Sequence, residues 1–452
     1  MTVKGGGPLG EERMREIATG ALKARADAVH VLIFHSWGGL TRFASSQIHQ
    51  NTWREDLEIR VMAVADGARI GVAATHSLDP AAVAKATEDA LAVARVSPPN
   101  PEFPGLAPPA SAPAKSGFDA ATASTSPAER ADYVARALAE FQADMTGAGY
   151  VESVADEVLV TNSLGLSMFG ATTHAGLSVM AMTGDSSGVA EIIEPRLSAI
   201  DPVAIAQRAV SKADRGRNPQ PIDAGRYTVV LEPAASSTLM QFMGYLGFGA
   251  KAFLEERSFM SGKIGERLCS DLITIVDDPL GAESLGLPFD FEGTPAQRVT
   301  LIDRGTARDV VWDRTTAQKV KRDSTGHGLP PPNSSGPFPL NLRMEPGSSS
   351  LDELIASTER GLLITRFHYS NVVNEKEAVL TGMTRDGTFL IENGTLKHGV
   401  NNLRYTQNAI EALSNVEGVG DSTEISSELF FGGSRAPALK IHDFNFSSAT
   451  TH

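Results

Sequence analysis

The sequence predicts an α+β protein of two domains, and three observations carry that expectation. The chain has 452 residues, more than one hydrophobic core usually organises. Its first half joins hairpin-like alternation to capped helices, and its second half reads mostly as short apolar runs separated by Gly, Pro, Asn and Asp. The boundary is expected at Asn218-Pro219. Residues 1–217 would then form an N-terminal α+β domain with antiparallel hairpins and helices, and residues 218–452 a predominantly β domain with a few helices. A composition of 42% hydrophobic, 21% charged and 6% aromatic residues is ordinary globular usage, so both domains have the apolar side chains to build a core.

In the first half, Glu11 to Ala26 places Met14, Ile17 and Leu22 at helical spacing. Ala28 to Phe34 is apolar and β-branched, Ser36-Trp37-Gly38-Gly39 can turn, and Leu57 to Ala65 alternates before Asp66-Gly67 and a return strand from Arg69 to Ala74. Asp79-Pro80 opens an Ala-rich helix, the aspartate capping free N–H groups and the proline fitting the first helical position. A Pro-rich loop from Ser97 to Pro113 follows, then a helix from Pro127 to about Met145, strands across Tyr150 to Met182 broken at Asn162-Ser163, and a helix from Asp201 to Arg215.

The second half opens with a strand at Tyr227 to Leu231 and a helix from Ser236 to Phe248. Leu329 to Pro339 holds five prolines and must be irregular. Ser350 with Glu353 three residues on forms a capping box for a helix over Leu351 to Arg360.

Charge and cysteine content narrow the function classes. A formal charge of −14 with no strong basic patch disfavours nucleic-acid partners, and Lys319 to Arg322 reads as a solvated loop. One cysteine cannot close an internal disulfide, the first thirty residues lack a signal-peptide apolar core, and no apolar run approaches the roughly 18 residues of a membrane helix. A cytoplasmic protein with no membrane partner is expected. His30 and His35, five apart on one strand, point to opposite faces and cannot share a metal; both read as structural or exposed. Asp277-Asp278-Pro279 reads as a turn after a core strand. Gly247-Phe248-Gly249 and Gly262-Lys263 lack the context of nucleotide-binding loops.

Several second-half segments, in order, resemble the TldD/PmbA metalloprotease family: Arg257-Ser258-Phe259 through Ser261-Gly262-Lys263-Ile264-Gly265-Glu266, then Asp271 to Pro279, Asn341-Leu342 with Glu345-Pro346-Gly347, Asp352-Glu353-Leu354 leading to Gly361 to Thr365, and Leu390-Ile391-Glu392-Asn393-Gly394. The first half agrees more loosely, through Asn51, the Asp66-Gly67 hairpin with Arg69-Ile70-Gly71, and the helix from Asp79. In the TldD member, a helix ahead of the Ser-Gly stretch carries His-Glu-x-x-x-His. The resemblance implies two imidazoles on zinc and a glutamate as general base toward zinc-bound water. Aligned without a gap, this chain has Gln241 at the first His, Phe242 at the Glu and Leu246 at the second His. No histidine lies between His174 and His327. Near the C-terminus, where TldD-like members carry a Gly-x-Cys-Gly ligand, this chain reads Phe430-Phe431-Gly432-Gly433, and Cys269 is expected to be an inert core-strand residue.

The resemblance therefore implies a TldE (PmbA)-like subunit without catalytic or metal residues, with no cofactor in this chain and zinc in a TldD-like partner. In the family such a pair trims unfolded or leader-bearing peptides, and the resemblance implies the same work here. His368, Tyr369 and Asn371, with Arg366 as a carboxylate contact, are the candidate peptide-binding segment, working by strand addition. They also mark a departure from typical TldE, as does Arg404-Tyr405-Thr406-Gln407-Asn408. Two alternatives stay open: an independent hydrolase using other residues on the scaffold, such as His368 with Glu375 or Glu377, and a peptide-binding regulatory homodimer formed by the chain alone.

Overall fold

The computed structural model describes residues 6–426 and 433–450. Its first half is a six-stranded antiparallel sheet built on two long hairpins. Helix α1 (Gly10–Leu22) leads into β1 (Ala28–Ala44), which pairs with β2 (Gln47–Ala65). Then come β3 (Arg69–Thr75), α2 (Pro80–Val96), α3 (Ala120–Ala123), α4 (Pro127–Leu138), β4 (Thr146–Asn162), β5 (Ser167–Met182), β6 (Ser187–Glu194) and α5 (Pro202–Arg215). The sheet order is β3-β2-β1-β4-β5-β6.

Register explains the layers. Val31 lies opposite Val61 and Thr161, and Ile33 opposite Ile59 and Leu159, so odd-numbered residues of β1, β2 and β4 share one face. That face packs on Met14 and Ala18 of α1 and on Val83 and Ala90 of α2, while Val151, Leu177 and Val179 receive α4 and α5. The even-numbered face, with Leu32, Phe34, Val158, Val160 and Met168, packs instead on Leu287, Phe289 and Phe291 of the second half. Caps at Asp79, Ser126 and Asp201 hold their helices by side-chain bonds to the first free N–H groups. Asp66 and Gly67, at φ +49 and +73, make the left-handed two-residue turn that joins β2 to β3.

Two expectations fail here, and one element was not foreseen. Ser36 to Gly39 does not turn; β1 runs straight through it. A Cβ on Gly39 would fall 2.1 Å from the buried Arg130 guanidinium, and one on Gly38 2.4 Å from the carbonyl of Ser153, so these glycines make room rather than bend the chain. The helix from Pro127 ends at Leu138, not Met145, and β6 had no separate expectation.

The second half is an eleven-stranded mixed sheet with few helices. In chain order it comprises β7 (Gly225–Leu231), α6 (Pro233–Gly247), α7 (Ala250–Leu254), β8 (Ile275–Asp277), β9 (Val299–Asp303), β10 (Thr306–Ala307), α8 (Arg314–Lys319), β11 (Leu342–Met344) and α9 (Leu351–Ala356). It closes with β12 (Arg360–Asn374), β13 (Val379–Glu392), β14 (Thr395–Gly399), β15 (Leu403–Asn408), α10 (Ala409–Ser414), β16 (Val416–Ser426) and β17 (Ser434–Ala449). The chain is thus α+β, but β12, β13 and β17 are long rather than short. β12 and β17 absorb register shifts at bulges, and β13 carries Gly382 and Gly387, features that read as breaks in sequence. The Ser350–Glu353 capping box is present. No described helix is long and apolar enough to cross a membrane.

Candidate functional site

Helix α6 is the element on which the family resemblance turns. Pro233 occupies its first turn, and Leu239, Met240, Phe242, Met243 and Leu246 pack among Val229, Leu231, Leu362, Ile364, Leu439 and Ile441 of the large sheet. A helix apolar nearly all round belongs inside a core, and this one is buried at twelve of its fifteen positions.

Gln241 is 6% exposed, and its amide Nε2 faces Ser434 Oγ at 2.7 Å, Ser237 Oγ at 3.0 Å and the carbonyl of Ser426 at 3.2 Å. Ser237 and Ser434 are themselves 2.6 Å apart. The amide thus ties α6 to β16 and β17. Phe242 and Leu246 are 6% and 4% exposed within the core cluster. A carboxamide, a phenyl ring and an isobutyl chain supply neither an imidazole ligand nor a general base, so these positions do not fit zinc. Among the described residues, no three His, Cys, Asp or Glu side chains gather as a metal site. Of the C-terminal stretch, Phe430, Phe431 and Gly432 lie outside the described residues. Cys269 is not in a strand, contrary to expectation, but it is buried, and burial pushes its thiol up to about 12, which leaves it protonated and inert.

The C-terminal end of α6 opens on a cleft of about 1170 Å³ between the two sheets. One wall is the even face of the first sheet, with Phe34, Glu58, Arg60, Asp156, Val158 and Thr172. Facing it are Gly244 to Leu246, the Leu285–Phe291 segment and the proline-rich loop. Lys115 fixes one rim, its Nζ donating to the carbonyls of Pro279, Ser284 and Gly286, and burial lowers its pKa to about 8. Arg60 reaches across to the carbonyl of Pro331 at 2.8 Å.

Beneath the cleft lies a knot of buried ionisable groups. Asp277 is not a turn residue; it ends β8, fully buried, and receives His327 Nε2 at 2.9 Å and the Asn341 N–H at 2.8 Å. Thr325 Oγ1 lies 2.9 Å from His327 Nδ1, which gives a Thr–His–Asp row. That row is not a nucleophilic triad, because Thr325 Oγ1 accepts the Trp312 N–H and donates to the Trp312 carbonyl, and the hydroxyl is buried. Asp290 accepts the N–H groups of Glu292, Thr294 and Gly328, and burial raises it to about 6. Glu292 accepts the Arg314 N–H, and burial together with Asp290 and Asp313 raises it to about 8.

The expected peptide segment lies elsewhere. Arg366, His368, Tyr369 and Asn371 sit on β12 beyond Ile364, where pairing with β7 stops, and none of them lines the cleft. The Arg366 guanidinium is engaged by Asp386, whose other oxygen accepts from Ser187 Oγ at 2.6 Å. It is therefore already committed to a carboxylate of its own chain. The His368 and Tyr369 rings meet at 4.4 Å, with Tyr369 at φ +49 and 78% exposed. Both His30 and His35 are buried and structural. His35 bridges Glu157 and Glu55 at 3.2 and 3.1 Å, and burial lowers His30 to about 4. The alternation of β4 already put Asp156 and Val158 on one face, but nothing local marked that face as a cleft wall.

A layered α+β scaffold places this buried core helix beside the cleft between the two sheets. Residues 224–448 match the PmbA/TldA metallopeptidase C-terminal domain and residues 121–217 its central domain, and the chain belongs to this PmbA/TldD family. A metalloprotease of Methanothermobacter thermautotrophicus is 26% identical over 316 residues, 66% of each chain. Metalloprotease PmbA of Escherichia coli O157:H7 is 24% identical over 400 residues, 82% of this chain and 83% of that one. The match spans 66% of the Methanothermobacter protein and about half the length of several other metalloprotease relatives. The crystal structure of TldE from Thermococcus kodakarensis shares the fold, with a TM-score of 0.85 at 23% identity over 96% of this chain and 99% of that one.

Proposed function

We propose that this chain is a TldE-like subunit with no metal chemistry of its own, which completes a TldD-like zinc metalloprotease that trims unfolded or leader-bearing peptides. The observation that carries the reading is the chemistry of α6. Gln241, Phe242 and Leu246 stand at the positions of the two ligands and the base, and each is committed to the core or to a serine on β17. What the chain offers such a complex is a rigid scaffold. The helix is locked to both long sheet strands behind it, and the cleft keeps its shape through Lys115 and Arg60.

Gel filtration with a candidate TldD-like subunit tests the reading. Co-elution as one complex, with peptidase activity that neither chain shows alone, is the expected result. A homodimer indifferent to that subunit would replace it with the regulatory-homodimer reading.

A further inference from the structure

Most of the charged groups that line the cleft are engaged by other groups of the chain. Arg60 is held by Glu58 and Pro331, Lys251 by the Ser334 carbonyl, Arg257 by Glu255, His327 by Asp277, and Asp290 by three backbone N–H groups. Asp156 differs: among the described residues no hydrogen bond or ion pair reaches its carboxylate. Its place is fixed by register, opposite Ser36 on β1 and Thr172 on β5, two residues before Val158 on the same face. Of these two neighbours Thr172 lines the cleft with Asp156, and cross-strand neighbours of this kind stand roughly 5 Å apart at Cβ, so a carboxylate and a hydroxyl meet on the wall.

A carboxylate with no partner on a wall of apolar side chains is a ready acceptor for a cation's donors. The remaining walls are largely aromatic and aliphatic, through Phe34, Phe289, Phe291, Phe338 and Leu246. We propose that this cleft is a peptide-binding site of the chain in its own right, taking an extended, largely apolar segment whose ammonium group is received by Asp156 with Thr172. The volume exceeds that of ordinary small-molecule pockets, which suits several residues of chain. Prolines on the facing loop bring carbonyls without N–H groups, and those carbonyls can accept from a peptide backbone. An ammonium carries three donors and no acceptor, which matches a carboxylate beside a hydroxyl oxygen. The contacts lie within one chain, so the inference does not rest on the partner reading.

The test is fluorescence anisotropy of the isolated chain with a heptapeptide of Leu, Phe and Ala, labelled and blocked at its C-terminus. Three forms are compared: a free amino terminus, an acetylated one, and an acetylated one with an internal lysine. The free-amine form should bind saturably and acetylation should weaken it at least tenfold. Asp156→Asn should bring the free-amine form down to the acetylated level while leaving the acetylated form unchanged. Tyr245→Ala, at an exposed residue on the cleft rim, should weaken all forms severalfold without loss of fold. Recovery by the lysine form assigns the ammonium to a side chain, and failure to recover assigns it to the chain terminus. Equal binding by Asp156→Asn and the parent, or no saturable binding of any form, overturns the proposal.

Discussion

Glu292 carries the clearest electrostatic prediction. Its carboxyl is raised from 4.5 to about 8 in the folded chain because burial and the neighbours Asp290 and Asp313 penalise its charge. The folded state therefore holds a proton that the unfolded state has released across that range. The stability this contributes is present below pH 4.5 and lost as pH rises through 8. Glu292→Gln keeps an acceptor for the Arg314 N–H and removes the titration. It should stabilise the chain by on the order of 1–3 kcal/mol at pH 9, with the difference closing toward pH 5. Urea midpoints at several pH values measure this, and a pH-independent difference would remove the titration from the explanation. Such an effect was not legible in the sequence. Asp290, Glu292 and Asp313 look like ordinary loop acids until the fold brings them together, just as the turn-like Asp277-Asp278-Pro279 hid a carboxylate that receives His327 fifty residues on. Arg366 shows the same limit, since its partner Asp386 lies on the next strand.

At the scale of elements, what the sequence revealed was local. Caps at Asp79, Ser126, Asp201 and Ser350, the Asp66-Gly67 turn and helix α6 all follow from chemistry within a few residues. What it concealed was contact at a distance. Gly38 and Gly39 look like a turn because their reason, the Arg130 guanidinium and the β4 backbone, arrives from elsewhere in the chain. Long strands with bulges and a proline, such as β17 with Pro437, look like several short ones. On the proposed reading, metal chemistry would not arise at helix α6 by substitution alone. Putting Glu at Phe242 and His at Leu246, together with Gln241→His, replaces two buried apolar side chains with ionisable ones and breaks the amide's links to Ser434 and Ser426. The triple variant should lose at least about 3–5 kcal/mol of stability and gain neither bound zinc nor peptidase turnover. Chemical denaturation with metal analysis checks both, and turnover would show that the supporting groups for a metal persist around this helix.

Across the whole molecule, two sheets are organised for different tasks. The first is covered by helices on one face and turns its other face to the second half, which creates the cleft. The second wraps a core helix whose polar link, Gln241, is structural. The proposal that this chain is the silent member of a pair rests on a family scaffold in which Gln241, Phe242 and Leu246 of α6 are core side chains. The most direct measurement is the zinc, iron and manganese content of the untagged chain purified alone, with peptide hydrolysis followed on the same sample. Metal far below one atom per chain and no turnover is the expected result, whereas one tightly held atom per chain with hydrolysis would make this chain an enzyme itself.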